Sequence, residues 1–323
     1  MKVLFIGGTG IISSACSRRV IATGSELTIL NRGTTTTREV PEGAEVVVAD
    51  IRDPASVRAA LGNRSFDVVA DFIAFTPEHV QTDLDLFRDR VGQYVFISSA
   101  SAYQTPPARL PIVESTPLRN PYWQYSRDKI ACEDLLVSAY RADGFPATIV
   151  RPSHTYDRTL VPLMGGWADI ERMRRGQPVV VHGDGTSLWT MTHHDDFAKA
   201  FVGLLGHPQA IGDSFQITSD EVLTWNQIYN IMADAAGVQA TLVHVASDTI
   251  AAHDAELGAS LLGDRTHSVI FDNTKVKSLV PDYVAAIPFV TGAREIVEWY
   301  DADSSRRVVG TDLDALFDKL IAR

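Results

Sequence analysis

The chain opens on four consecutive apolar residues, Val3-Leu4-Phe5-Ile6, closed by Gly7. A run without polar alternation suits a strand buried on both faces. Ile12, Ala15, Cys16, Arg19 and Val20 then recur at helical spacing as far as Gly24, which predicts a helix with a glycine stop. The alternation repeats, with strands expected over residues 27–30, 45–49, 67–70, 94–97 and 147–150 and helices over 55–61, 77–89 and 123–141. Repeated strand–helix–strand units predict an α/β fold, a doubly wound parallel sheet with right-handed crossovers. After Arg151-Pro152 the texture changes: Gly165-Gly166, Gly176, Pro178, Gly183 and Gly185 interrupt it, and isolated helices follow. One of these opens at Thr224-Trp225-Asn226-Gln227, a capping box. The expected organisation is one α/β domain over residues 1–150 and a smaller lobe over 151–323, some of whose segments return to the first.

Composition narrows the function classes. The 323 residues correspond to about two domains at roughly 150 residues each. With 45% hydrophobic and 21% charged residues the chain is core-forming, not disordered. A formal net charge of -11 argues against nucleic acid as the main partner, because phosphate neutralisation needs a basic face. A small phosphorylated ligand needs only local amides or a few cations. Two cysteines, Cys16 and Cys132, are too few for a disulfide framework, and no apolar run reaches the ~18 residues of a membrane span. Lys2 and the apolar run before Ser14-Ala15-Cys16 faintly imitate an export signal, but four apolar residues are too short for its core. A cytoplasmic location without a membrane partner is expected.

Gly7-Gly8-Thr9-Gly10 lies between the first strand and the first helix, where a glycine turn lets backbone and free helix amides approach a pyrophosphate. This context makes the sheet Rossmann-type. Ser13 stands where a third glycine would, a position that needs a small residue for helix–sheet packing. The second strand ends in Asn31-Arg32-Gly33. Without an acidic side chain there, and with Arg32 to pair a 2′-phosphate, NADP is favoured over NAD as cofactor. Asp50-Ile51, after the third strand, suit the adenine ring.

Tyr125 and Lys129 are four residues apart on one expected helix face, about 25 residues after Ser98-Ser99-Ala100-Ser101. Ser, Tyr and Lys beside a dinucleotide make a proton-transfer site for an alcohol–ketone pair. A lysine charge about 4 Å from the phenol is worth roughly 4 kcal/mol at an effective dielectric of 20, enough to lower its pKa by about three units. The pair is therefore expected to bring the phenol near working pH.

Together GGTGIIS, ADI, FISSASAY, YSRDK and RPSHTY resemble the extended short-chain dehydrogenase/reductases, the NAD(P)-dependent epimerase/dehydratase family. GDGTSLWTMTHHDDFA and FDNTKVKSL extend the resemblance over essentially the whole chain. It implies an enzyme with Tyr125 as acid/base, Lys129 on the nicotinamide ribose and Ser99 on the reacting oxygen. Gly7, Thr9, Gly10, Ile11 and Ile12 match the pyrophosphate turn, with Asn31, Arg32, Asp50 and Ile51 around the adenosine and Ser153 near the carboxamide. It further implies a homodimer through the Tyr125 helix. Two classes fit: an NADP- or NAD-dependent epimerase or reductase of a sugar, sugar-nucleotide or nucleoside-like substrate, and an NADP-sensing or RNA-binding relative of the same fold without turnover.

Departures from the family pattern narrow the chemistry. Ala100-Ser101 stands where the dehydratases carry Asp-Glu, which disfavours water elimination. Trp189 occupies the position of a diphosphate-binding arginine and His154 that of a substrate-contacting asparagine. Both are taken as substrate residues, Trp189 by stacking on a ring face. His193-His194-Asp195-Asp196 is read as a helix start capped by one of the aspartates, and no metal is assigned. Cys132 is read as a packed core cysteine, and Arg172, Arg174 and Arg175 as a solvated helix face.

Overall fold

The structure is a computed structural model and describes residues 1–34 and 37–322. Strand and helix alternate through the first half as β1 (Lys2–Ile6), α1 (Ile11–Ala22), β2 (Glu26–Asn31), β3 (Glu45–Val48), α2 (Pro54–Leu61), β4 (Phe66–Asp71), α3 (Pro77–Phe87), β5 (Val91–Ile97), α4 (Gln124–Asp143) and β6 (Ala147–Pro152). The second half continues with β7 (His154–Tyr156), α5 (Trp167–Arg174), β8 (Val179–His182), β9 (Leu188–Trp189), β10 (Met191–His193), α6 (His194–Leu204), β11 (Ser214–Ile217), β12 (Leu223–Thr224), α7 (Trp225–Ala235) and β13 (Leu242–Val245). It closes with α8 (Ser247–Ala251), α9 (Ala255–Ser260), a π-helical turn over Leu261–Arg265, α10 (Thr274–Leu279), α11 (Phe289–Asp301) and α12 (Thr311–Ile321).

Seven strands form one sheet in the order β11-β6-β5-β4-β1-β2-β3, and every neighbouring pair is parallel. The apolar runs are explained by the layers on both faces. Val3 and Phe5 pack with Ala15, Cys16, Phe197 and Phe201 on one side, while Leu4 and Ile6 pack with Val80, Leu84, Cys132 and Leu136 on the other. Two segments of the second half return to the sheet: β11 extends it beside β6, and α6 covers the α1 face. The other core of the second half gathers Tyr156, Trp167, Trp189, Trp225, Tyr229, Phe289 and Ile296.

Two expectations fail here for tertiary reasons. Neither aspartate caps α6: His193 does, its Nδ1 accepting from Asp195 N at 3.3 Å. Asp196 is instead spent on Lys199 and on Ile287 N. The arginine cluster at the end of α5 is a solvated face only at Arg175, which is exposed. Arg172 is buried and donates to Asp314, Asp318 and Pro178 O, pinning α12, while Arg174 pairs with Asp301 and lies over the Trp167 ring. The Thr224–Gln227 capping box forms as expected, and Cys132 is fully buried.

Candidate active site

Because every strand of the main sheet is parallel, all C-terminal strand ends lie along one edge. Ligands of such sheets bind at that edge, where the strand order reverses; here that point lies between β1 and β4. The turn after β1 needs its glycines. Gly7 has φ +84°, and a Cβ there would lie 2.7 Å from the Ile73 side chain. At Gly8 a Cβ would press into Ile29 at 2.9 Å. Ser13 does more than fit: its hydroxyl donates to Gly7 O at 2.5 Å and accepts from Gly10 N at 2.8 Å, so it closes the turn on itself. Gly10 is the N-cap of α1, which makes Ile11 and Ile12 the first helical residues, whose amides lack intrahelical partners.

A cleft of about 360 Å³ runs along this edge and brings together Gly7, Thr9, Gly10, Asn31, Arg32, Asp50 and Ile51. Ile11 and Ile12 stand beside it at the helix start, and Ser153 follows the end of β6, accepting from Thr190 Oγ1 at 3.2 Å. Asn31 accepts from Gly33 N at 2.9 Å, which shapes the loop that carries the exposed Arg32. Two further arginines line the same cleft and were not singled out from the sequence. Arg38 is held across it by Asp157 at 2.6 Å, and Arg52 reaches Ile73 O. The carboxylate-free end of β2 together with Arg32 and Arg38 fits a phosphorylated adenosine, and the glycine cradle fits a pyrophosphate.

At the next strand ends sit the serine, tyrosine and lysine. Ser99 Oγ lies 2.9 Å from Ser101 Oγ, which accepts from Ser126 Oγ at 2.8 Å, so a short hydroxyl chain supports it from the residue after Tyr125. Lys129 is buried and donates to Ala74 O and Ile97 O, both at 2.7 Å. The Ala74 carbonyl is itself fixed by Asp71, whose buried carboxylate accepts from Ile73 N and Ala74 N. One turn further along α4, Glu133 forms a buried ion pair with Arg151 of β6 at 2.6 Å, which sets the helix against the sheet.

The electrostatics correct one expectation. Lys129 Nζ lies 5.8 Å from the Tyr125 ring centre and is anchored to carbonyls. Burial pushes the Tyr125 phenol up to about 12, with only the adjacent Ser99 hydroxyl lowering it and the Asp264 charge raising it further. Burial likewise lowers Lys129 to about 8, against the pull of Cys132, Asp71 and Glu133. Desolvation is the largest influence on both groups, and Lys129 is not among the charges that act on Tyr125. Tyr125 is therefore a protonated phenol at neutral pH in this structure.

The second half of the chain contributes a further group of candidate residues, gathered around His154. His154 is half-buried, with ring centres 6.5 Å from both Trp189 and Trp225, and burial followed by the Arg265 charge lowers it to about 3, so it is a neutral imidazole. Trp189 is 1% exposed and packed against Trp225, so no ring face is open for stacking; the expected contact is not available here. Sequence reading missed Asn120, Asp264 and Arg265. Asn120 carried a signal as part of an Asn-Pro turn; the other two carried none. His193, His194 and Asp195 bring donor atoms within 4.8 Å of one another, but each is turned to a protein partner. His193 meets Asp195 N and Glu295, His194 donates to Ile11 O, and Asp195 pairs with Arg18.

No helix among the described residues is long and apolar enough to cross a membrane. The chain is 27% identical over 248 residues to a chloroplast stem-loop binding protein of 41 kDa from Arabidopsis thaliana, covering 73% of this chain and 63% of the relative. It is 25% identical over 287 residues to the 2'-dehydrokanamycin reductase of Streptomyces kanamyceticus, covering 88% of this chain and 80% of the relative. The chain thus spans less than two thirds of the first relative and four fifths of the second. Its fold matches the crystal structure of UDP-glucose 4-epimerase from Bifidobacterium longum in complex with NAD+ and UDP, with a TM-score of 0.76, 16% identity, and coverage of 95% of this chain and 100% of that one. The model of the NAD dependent epimerase/dehydratase family matches residues 3–231.

Proposed function

The chain belongs to the NAD dependent epimerase/dehydratase family, and we propose that it is an NADP(H)-dependent reductase of a ketone on a sugar-like small molecule. The observation that carries this reading is the protonated, half-buried Tyr125 beside Ser99 and Lys129, on the same sheet edge as the glycine cradle. When bound, the nicotinamide supplies or accepts hydride at the substrate carbon. Tyr125 gives its proton to the carbonyl oxygen as that carbon is reduced, and Ser99 orients the oxygen by hydrogen bonding. A phenol held near 12 is in the proton-donating form across neutral pH, the form that reduction of a ketone needs. Lys129 has three donors, of which two are committed to Ala74 O and Ile97 O, leaving the third for a ribose hydroxyl.

Arg32 and Arg38 support NADP over NAD, and the reductase likeness spans more of this chain than the stem-loop binding likeness does. The net charge of -11 and the intact Ser99, Tyr125 and Lys129 disfavour the RNA-binding and sensing reading. The test is NADPH consumption with a panel of keto-hexoses and keto-aminoglycosides, alongside equilibrium binding of NADPH and NADH. Turnover with at least one ketone is expected, together with NADPH binding that weakens at least tenfold in Arg32→Ala while NADH binding stays level. NADPH bound without turnover of any ketone overturns the reductase reading, and equal effects on both dinucleotides overturn the choice of NADP.

A further inference from the structure

The π-helical turn Leu261–Arg265 is set against the start of α4 by one side chain. Buried Asn120 donates through Nδ2 to Gly263 O at 2.6 Å and to Ser101 O at 2.9 Å, and its Oδ1 accepts from Tyr122 N and Trp123 N. Gly263 permits the approach, since a Cβ there would lie 2.7 Å from Trp123 Cβ. The Trp123 ring in turn touches the Tyr125 ring at 4.8 Å between centres. A single amide thus locks together the serine loop, the tyrosine helix and the residues just after Gly263. π-Turns of this kind recur at functional sites, where they re-aim side chains.

The two residues so placed are Asp264 and Arg265. Both are half-buried, and neither side chain has a hydrogen-bond or ion-pair partner among the described residues. The Asp264 charge acts on Tyr125, and that of Arg265 acts on His154. Arg265 also lies over the Trp225 ring, 5.7 Å from its centre, while its carbonyl accepts from His182 and Ser187. The carboxyl therefore acts on the phenol and the guanidinium on the imidazole, with the Asn120 amide holding their turn against the serine loop.

We propose that Asp264 anchors a substrate ammonium group beside the carbon served by Tyr125, so that the enzyme selects amino sugars over neutral sugars and over nucleotide diphosphates. This rests on the reductase reading above. A half-buried carboxylate left without a partner gains most from a cation, because charge-assisted hydrogen bonds are about twice as strong as neutral ones. Burial already pushes Asp264 up to about 7, showing how poorly the protein alone compensates its charge. A diphosphate would meet Arg265 only together with the adjacent like-charged carboxylate. Hydroxyl groups, by contrast, are served by Arg265 and by the neutral His154.

The test measures binding to the NADPH-saturated protein by ligand-observed NMR, with glucosamine, glucose, N-acetylglucosamine and UDP-glucose as probes. Glucosamine is expected to bind at least tenfold more tightly than glucose or N-acetylglucosamine. Asp264→Asn should erase that preference and Asp264→Glu should keep it, with NADPH affinity and Tm unchanged in both as evidence of folding. UDP-glucose binding should tighten in Asp264→Asn, and the proposal is overturned by no glucosamine preference in the native chain, by a preference that survives Asp264→Asn, or by UDP-glucose binding that weakens in Asp264→Asn. Sugar binding needs no turnover, so failure of the reductase reading, seen as NADPH oxidation that never occurs, is told apart from failure of this one.

Discussion

The candidate site has two walls, the sheet edge and the residues of the second half around His154, and they are built on different principles. On the sheet-edge wall Gly7 follows β1, Asn31 ends β2 and Ser99 lies just past β5, while Tyr125 and Lys129 come from α4 packed beside them. Parallel ladder bonds fix those positions in register, so the wall is as rigid as the sheet. On the other wall Asp264 and Arg265 sit on a turn held by an amide 143 residues earlier in the chain, and His154 rests among aromatic rings from β9 and α7. The first wall places chemistry shared by many substrates, whereas the second depends on a few long-range contacts that can change without disturbing the sheet. On the function proposed above, cofactor and catalysis belong to the first, and selection among substrates to the second.

The largest expected effect tests the sheet-edge wall alone. Tyr125→Phe removes the proton donor and should lower kcat by roughly 10³-fold, within the usual range for a general acid, with NADPH affinity unchanged by fluorescence titration. A variant that keeps kcat would strip this wall of its catalytic role. Next in size is Asn120→Ala, which leaves Gly263 O and Ser101 O without their donor and should cost about 2–3 kcal/mol in urea unfolding. It should also lower kcat/KM while sparing NADPH binding. Loss of NADPH binding in that variant would show that the two walls are not separable.

The third test uses pH. Burial holds His154 near 3 and His182 near 4, both below the ordinary 6.5. A depressed folded pKa means that the unfolded chain takes up the proton first as pH falls. Stability is therefore complete above about pH 6.5 and declines below it until the folded pKa is reached, by about 2 kcal/mol for each histidine at pH 5. Urea unfolding at pH 7 and pH 5 should show this loss, and His182→Gln should reduce it by about half. An unchanged loss would remove these imidazoles as the acid-sensitive points of the second wall. The smallest effect is Gly7→Ala, where positive φ and the Ile73 contact predict a cost of about 1–2 kcal/mol. NADPH affinity should fall severalfold, while sugar binding at the opposite wall is spared.

Legibility in the sequence follows the same division. VLFI before a glycine turn, the strand–helix alternation and the Tyr125–Lys129 spacing depend on neighbours within a few residues, and all were readable. Arg172 looked like part of a charged helix face because its partners, Asp314 and Asp318, lie more than a hundred residues away. Asp195 and Asp196 looked like caps because their residue type favours that role, yet His193 holds the position and Asp196 serves Ile287. Trp189 suggested an open ring until the second core closed over it.

The sequence by itself determined the doubly wound sheet, the edge at which a dinucleotide would sit, and the serine, tyrosine and lysine set there. These follow from periodicity and local turn chemistry, which act over one or two turns of chain. Only the tertiary structure decided the protonation of Tyr125 and the parking of Lys129 on two carbonyls, because burial depends on every element packed around a group. It alone also set the turn of Asp264 and Arg265 against the serine loop, since no local pattern encodes which distant turn an asparagine will hold.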